Sequence, residues 1–479
     1  MKTRISDRGS VWGTAALLAV LGACSPKATS VVNTPASTPV ATATPAAPAA
    51  PAASSFQIPV EYYTLPNGLK VVLSPDHTAP TATVAAYYNV GFRNEPRDRT
   101  GYAHLFEHLM FQGSQNLGKM EFIQLVQKNG GTLNGSTRFD FTNYFEIVPA
   151  HKLETMLWAE ADRMRGLAIN QASLTNQQGV VKNEVRVNVL NQPYGGFPWL
   201  DMPQYANKNW NNAHNFYGDL KDLDAATLPD AQAFFKTYYA PNNAALAITG
   251  DFEPAEAKAW IEKYFANIPA ATQPPKPDIT EPRQEKEQRF TKDDKLATKP
   301  ALAFAYHMPD RNTPEYYALI LLDQIMLQGK DSRLYQAMVQ KRGLTDNVSG
   351  GINYLGNAFN YSGPMLWMGD LVYDNTVKSD SVVSVLDQEI SRLAKDGIDQ
   401  NTLDLAVVKL RSNLYDQLSG FGRADMLASF ALFDNNPARI NELEAEFRKV
   451  TPAVMQRAVQ EYLRPTNRTL LIVNPLAKS

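Results

Sequence analysis

The chain has 479 residues, 46 Lys and Arg against 48 Asp and Glu, a formal charge of −2, 44 % hydrophobic residues and one cysteine. Near-neutral charge without a basic cluster leaves no electrostatic footprint for nucleic acid. A single cysteine excludes an internal disulfide, so the fold must rest on its cores, and the length suffices for two domains.

Residues 1–24 read as a secretion signal, with Lys2, Arg4 and Arg8 as the basic region, Ala15 to Leu21 as a short apolar core and Leu21-Gly-Ala-Cys24 as the cleavage site. The apolar run is too short to span a membrane as a helix. Leu-Gly-Ala-Cys resembles a bacterial lipobox, which implies lipidation of Cys24; Ser25 beside it matches the outer-membrane sorting pattern. Residues 25–55 are Pro, Ala, Thr and Ser with almost no charge, too poor in large apolar groups to fold, and read as a tether spanning about 30 Å. The expected location is the periplasm, lipid-anchored, at the outer membrane of a Gram-negative bacterium.

Asn67-Gly68 between two apolar runs is a hairpin signal. Residues 104–108 then read His-Leu-Phe-Glu-His. On a helix, with His104 at 0°, His108 falls at about 40° and Glu107 at about 300°, while Leu105, Phe106, Leu109 and Met110 occupy roughly 100° to 240°. One face can grip a divalent metal and hold a base beside it; the other can anchor in a core. Gly130-Gly131 breaks the chain before Thr132-Leu133-Asn134-Gly135-Ser136-Thr137, a strand candidate. Ser173 to Leu190 predicts a helix with Leu174, Val181, Val185 and Asn188 near one stripe and Glu184 beside it, off the solvated face. Asn191 to Tyr217 is densely aromatic, a chamber wall or a substrate contact.

His104-x-x-Glu107-His108, with Glu184 far along the chain, resembles the inverted-zincin peptidases, which include pitrilysin, insulin-degrading enzyme and the mitochondrial processing peptidases. Asn67-Gly68, Gly130-Gly131-Thr-Leu-Asn134 and Tyr239-Ala-Pro-Asn-Asn243 followed by Ala-Ala-Leu-Ala-Ile-Thr-Gly250-Asp251 extend the resemblance over roughly residues 56 to 475. It implies one zinc per chain held by His104, His108 and Glu184, with Glu107 as general base. It also implies substrate pairing on Thr132, Leu133, Asn134 and Gly135 as an exposed edge strand. The fold implied is α+β: two homologous α/β-sandwich halves enclosing a chamber, the second metal-free. The expected division is an N-terminal half over 56–272, a Pro- and charge-rich linker over 273–298 and a C-terminal half over 299–479.

The chain does echo itself. Ala86-Tyr-Tyr-Asn-Val-Gly-Phe-Arg-Asn-Glu-Pro96 recurs as Phe304-Ala-Tyr-His-Met-Pro-Asp-Arg-Asn-Thr-Pro314, Gln112-Gly113 as Gln328-Gly329, and Tyr238-Tyr-Ala-Pro-Asn-Asn243 as Tyr462-Leu-Arg-Pro-Thr-Asn467. Registering the Gln-Gly pairs puts Ile320, Asp323 and Gln324 where His104, Glu107 and His108 stand. Two departures from the family pattern matter. A second Glu, seven residues before the third ligand, is here Gln177, on the same helical face as Glu184 and able only to hydrogen-bond. An Arg and a Tyr that the family's second half often supplies to grip substrate are replaced by Val339 and Asp346. A related subunit lacking its own zinc motif, in a homo- or heterodimer, is the expected source of those groups. The resulting expectation is a zinc endopeptidase for short or unfolded peptides; the alternative is a non-catalytic scaffold or assembly lipoprotein.

Overall fold

The computed structural model describes residues 57–274 and 276–476; the signal, Cys24 and the tether lie outside them. Among the described residues no helix is long and apolar enough to cross a membrane.

The hairpin forms as its sequence demands. β1 (Glu61–Thr64) pairs antiparallel with β2 (Lys70–Pro75). Between them Gly68 takes φ +89° and passes so close to Asn242 that a Cβ would collide with it. Four more strands complete the first sheet: β3 (Thr81–Tyr88), β4 (Thr132–Thr137), β5 (Thr142–Pro149) and β6 (Ala244–Gly250), in the order β1-β2-β6-β3-β5-β4. The second sheet comprises β7 (Gln288–Asp294), β8 (Ala301–His307), β9 (Ser349–Ile352), β10 (Leu366–Val372) and β11 (Arg468–Pro475), in the order β7-β11-β8-β10-β9. Without β1 the two orders are the same path, so the weak sequence echoes mark a real duplication.

The register repeats as well. Ala86 on β3 faces Tyr144 on β5 and Leu246 on β6. Phe304 on β8 faces Gly369 on β10 and Leu470 on β11. The large ring has changed strands: a small Ala opposite a Tyr in one copy becomes a Phe opposite a Gly in the other, where a Cβ would run into the Phe304 ring. Exchanges that conserve volume across a pair are those a close-packed core tolerates.

The central strands of both sheets are apolar on both faces. In the first, Val71, Leu73, Val84, Ala86, Tyr88, Leu246 and Ile248 share a core with Leu105, Phe106 and Leu109 of α1 (Tyr102–Leu109) and with α3 (Leu153–Arg165), which follows α2 (Glu121–Lys128). The opposite face, with Val72, Ala85, Tyr87, Ala245 and Ala247, is covered by the helix Phe421–Asp434 of the other half. That half receives the same service: Phe197 and Met202 and Ala206 of α5 (Asp201–Ala206) lie on Ala301, Ala303 and Ala305 of β8. Rows of alanine let a helix approach each strand closely. Each copy thus sends a helical segment to the other's sheet, and the two halves share a core. A buried ion pair, Arg93–Asp140 at 2.9 Å, adds a polar clasp, since Asp140 also accepts from the Ser362 amide at 2.9 Å.

One boundary needs correction. Residues 273–298 are not linker throughout, because β7 adds parallel to β11 as an edge strand of the second sheet. Its sequence, Gln-Arg-Phe-Thr-Lys-Asp-Asp, is charged because an edge strand has one side in water, and charge there discourages pairing with other chains. The charge run that suggested a linker is the signature of that edge.

Candidate metal centre

α1 begins at Gly101, whose φ of +81° turns the chain into the helix. No local side chain caps it. Instead the carboxylate of Glu95 accepts from the amides of Gly101 (2.9 Å) and Ala103 (2.7 Å), satisfying first-turn donors and placing negative charge at the positive helix end. Glu95 is itself held by His214 Nε2 at 3.3 Å, and the His214 ring stacks on Trp210. Burial pushes the Glu95 carboxyl up; it would push His214 down, but the bond to Glu95 outweighs that and raises it. His214, unremarkable in the sequence, therefore helps fix the helix that carries His104.

Glu184 comes from α4 (Gln171–Val185), which starts with a reciprocal cap between Asn170 and Ser173 and buries Leu174, Val181 and Val185 as the stripe predicts. The regular helix stops at Val185. Residues Arg186–Leu190 wind as a π-turn, and Asn188 is exposed rather than on the stripe. The wider winding rotates it away; such turns frequently sit beside functional groups.

The two helices bring His104, His108 and Glu184 together. His104 Nε2 and His108 Nε2 are 3.3 Å apart, His108 Nε2 and Glu184 Oε2 3.3 Å, and His104 Nε2 and Glu184 Oε2 3.7 Å. Three ligands at zinc bond lengths in tetrahedral geometry stand about 3.3 Å apart, so this triangle has the dimensions of a zinc face. His104 is nearly enclosed, with 4 % of its side chain exposed, whereas His108 (21 %) and Glu184 (29 %) open the cluster to solvent on one side. A closed structural site would bury all of its ligands; a site with a fourth position for water would look like this one. Burial, reinforced by the neighbouring His108, pushes His104 down to about 3, so it stands neutral with a lone pair to donate. Its Nδ1 is buried without a hydrogen-bond partner among the described residues. Burial opposes ionisation of Glu184, but the hydrogen bonds from His108 and Tyr217 prevail and hold its carboxyl low. Two imidazoles and a carboxylate are the donor chemistry zinc takes.

Glu107 lies beside the triangle. Its Oε2 accepts from Thr137 Oγ1 at 2.8 Å, and burial lifts its carboxyl above the ordinary range despite that bond. Thr137 ends β4, which among the described residues pairs only with β5 and leaves its other edge unpaired. Thr132 and Asn134 are exposed, Leu133 and Gly135 half-buried, and Gly135 passes Glu107 where a larger residue would press on it. The four residues expected to contact substrate are therefore on an open edge leading to the site.

Gln177 is not brought to the ligands. It is buried, and its amide donates to Asn176 Oδ1 at 2.9 Å. Seven residues along a helix is a rise of about 10 Å, beyond an amide's reach to Glu184. Tyr217, which sequence reasoning passed over as one aromatic among many, does that work. Its hydroxyl donates to Glu184 Oε1 at 3.0 Å, leaving Oε2 for the imidazoles, and its ring and that of Phe216 stand edge-on to His104. Removing such a ligand-orienting group typically costs ten- to a hundredfold in metal affinity. Tyr217→Phe is accordingly expected to weaken zinc binding by about tenfold, read by competition with a chromogenic chelator, without unfolding the chain.

In the second copy, the helix Gln400–Gln417 begins at Asp399 as α4 begins at Asn170, which sets Asn413 opposite Glu184. Its amide donates to Gln324 Oε1 at 3.2 Å. Asp323, in the place of Glu107, is fully engaged by Trp367 Nε1 (2.8 Å) and Gln328 Nε2 (3.0 Å), and burial raises it to about 6. Ile320, Gln324 and Asn413 thus replace two imidazoles and a carboxylate, and the helix pair survives without metal-binding chemistry.

A duplicated α+β architecture with one ligand triangle is the arrangement of two-half metallopeptidases. The chain belongs to the M16 peptidase family: residues 70–213 match the domain described as insulinase (peptidase family M16), and residues 225–410 match the peptidase M16 inactive domain. It is 25 % identical over 435 residues to the zinc protease PqqE of Helicobacter pylori, covering 88 % of this chain and 94 % of that one. The crystal structure of a protease from the same organism superposes with a TM-score of 0.80 at 25 % identity, over 87 % of this chain and 100 % of the other. The periplasmic protease PqqL of Escherichia coli shares the fold with a TM-score of 0.70 at 16 % identity; 88 % of this chain matches 48 % of that protein.

Proposed function

We propose that this chain is a zinc endopeptidase acting on short or unfolded peptides, with one zinc on His104, His108 and Glu184 and with Glu107 as general base. The observation that carries the reading is the ligand triangle of zinc dimensions with a carboxylate beside it. When bound, zinc supplies Lewis acidity toward a water and the peptide carbonyl. Glu107 accepts the water's proton as it attacks and returns it to the leaving amine. Thr137 holds one carboxylate oxygen and so aims the other. The peptide adds as a strand to β4, its main chain pairing along Thr132, Leu133, Asn134 and Gly135, an arrangement that gives affinity with little sequence preference.

The reading extends to partner and place. With Val339 and Asp346 at the substrate-gripping positions, a related subunit without a zinc motif supplies those groups in a homo- or heterodimer. That this chain matches about half of PqqL supports an assembly with a second half. Cys24 ties the enzyme by lipid to the periplasmic face of the outer membrane, in keeping with the periplasmic protease PqqL, whose fold it shares. The scaffold alternative draws on the inactive-domain match, but residues 225–410 include none of the four site residues.

The detergent-extracted lipoprotein, with whatever copurifies, is expected to hydrolyse an unstructured fluorogenic peptide, to stop when a chelator removes its zinc and to recover on adding one equivalent. A zinc-loaded preparation inert toward peptides rules the enzyme out; full turnover by the isolated monomer rules out the partner.

A further inference from the structure

Arg138 is the first residue beyond β4. Its backbone is locked, since its amide donates to Phe141 O at 2.8 Å and its carbonyl accepts from Phe92 at 3.2 Å. Its side chain is half-buried, and the ionisable groups around it are Glu107, Tyr87 and Asp425. Each of these is already engaged. Glu107 accepts from Thr137. Tyr87 donates to Asp425 at 2.6 Å, and Asp425 also accepts from Asn357 at 2.8 Å. Among the described residues nothing forms a hydrogen bond or ion pair with the Arg138 guanidinium. A guanidinium carries five donors and cannot shed its charge. Half-burying one without an acceptor is unfavourable unless something else supplies it.

We infer that Arg138 is a specificity-determining residue that pairs with a carboxylate on the bound peptide, within about two residues of the bond to be cut. This rests on the peptidase reading above. Thr137 touches Glu107, which marks where a strand on β4 meets the cutting site, and one residue further along a strand is about 3.4 Å. A planar fork at that distance suits two-point recognition of a carboxylate. The carboxylate comes either from an Asp or Glu side chain or from the peptide's own C-terminus. Arg138 would then make the enzyme selective where β-strand pairing alone is indiscriminate.

The test uses matched quenched peptides carrying Glu or Gln at each of the two positions either side of the cleaved bond, and a second pair ending there as free acid or amide. The wild-type protein, with its copurifying subunit, is expected to favour one acid over its amide twin by at least tenfold in kcat/KM, and Arg138→Gln to bring that ratio to about one. Which pair shows the ratio identifies the source of the carboxylate. No preference in the wild type, or a preference that survives Arg138→Gln in a protein with unchanged melting temperature, overturns the proposal. Binding separates its failure from failure of the peptidase reading: zinc-loaded Glu107→Gln should hold the acid peptide at least tenfold more tightly than its twin, and the Glu107→Gln/Arg138→Gln protein should not. If no peptide is cut yet this difference persists, the enzyme assignment falls and the Arg138 assignment stands; equal binding of the twins, or none, overturns the latter.

Discussion

Glu107→Gln is expected to keep about one zinc per chain and to lose between a hundredfold and ten-thousandfold in kcat, the span that general acid–base groups contribute. The substitution changes one thing. Gln has the same shape, and its amide oxygen accepts from Thr137 Oγ1 as the carboxylate does at 2.8 Å. The ligand triangle of His104, His108 and Glu184 does not include residue 107, so zinc remains. The amide has no lone pair basic enough to take a proton from water, so the chemical step alone suffers. KM is expected to stay within about threefold, because in the proposed binding mode the peptide pairs with β4 and not with Glu107. The result belongs beside Glu184→Gln, which removes the only anionic ligand and should lose zinc first and activity as a consequence. A Glu107→Gln protein that retains turnover, or loses zinc as Glu184→Gln does, would place the base elsewhere.

The cluster of candidate ligands was largely legible because its residues are local or follow a helical period. His104, Glu107 and His108 share one arc of one helix, and the apolar residues opposite them declare which side faces the core. Glu184 was legible only through the family pattern; the apolar stripe put it on a helix but could not say what the helix packs against. Glu95, His214 and Tyr217 were missed for the same physical reason. A cap supplied from outside the helix, and a hydroxyl on Glu184 from 33 residues away, leave no spacing to read. One signal could have raised Tyr217: it lies in the densest aromatic stretch of the chain, and a Tyr there needs a partner for its hydroxyl if it is buried.

The fold was legible as a duplication, yet its boundaries were not. Collinear echoes located β3 and β8 in the right register, as the Ala86–Tyr144 and Phe304–Gly369 pairs demonstrate. The linker was overdrawn because β7 is charged on its wet side. Nothing in the sequence announced that Phe421–Asp434 serves the other half's sheet. A helix of Ala, Leu and Phe buries its surface on any apolar face of the right curvature, and only the folded chain decides which.

That exchange makes the two halves a single mechanical unit, and Asp425→Ala is expected to reveal it by lowering stability by about 3 kcal/mol in one cooperative transition. Asp425 sits on the exchanged helix and is buried. It accepts from Tyr87 of β3 at 2.6 Å and from Asn357 at 2.8 Å, so one carboxylate joins the first sheet, the exchanged helix and the second half. Removing it strands the buried donors of Tyr87 and Asn360 and the half-buried one of Asn357, and leaves a small void in a shared core. Burial raises the Asp425 carboxyl above its ordinary value, against the bonds from Tyr87, Asn360 and Asn357 and the charge of Arg138. A folded-state value above the unfolded one means the folded protein holds its proton longer. Stability contributed by the protonated group is therefore present at low pH and lost as pH rises from about 4 through the folded value. The gap between wild type and Asp425→Ala should accordingly be widest at the acid end and narrow toward neutrality. Urea melts followed by Trp fluorescence at several pH values give both quantities. Two resolved transitions in the wild type would mean that the halves fold independently, and the shared core would then not couple them.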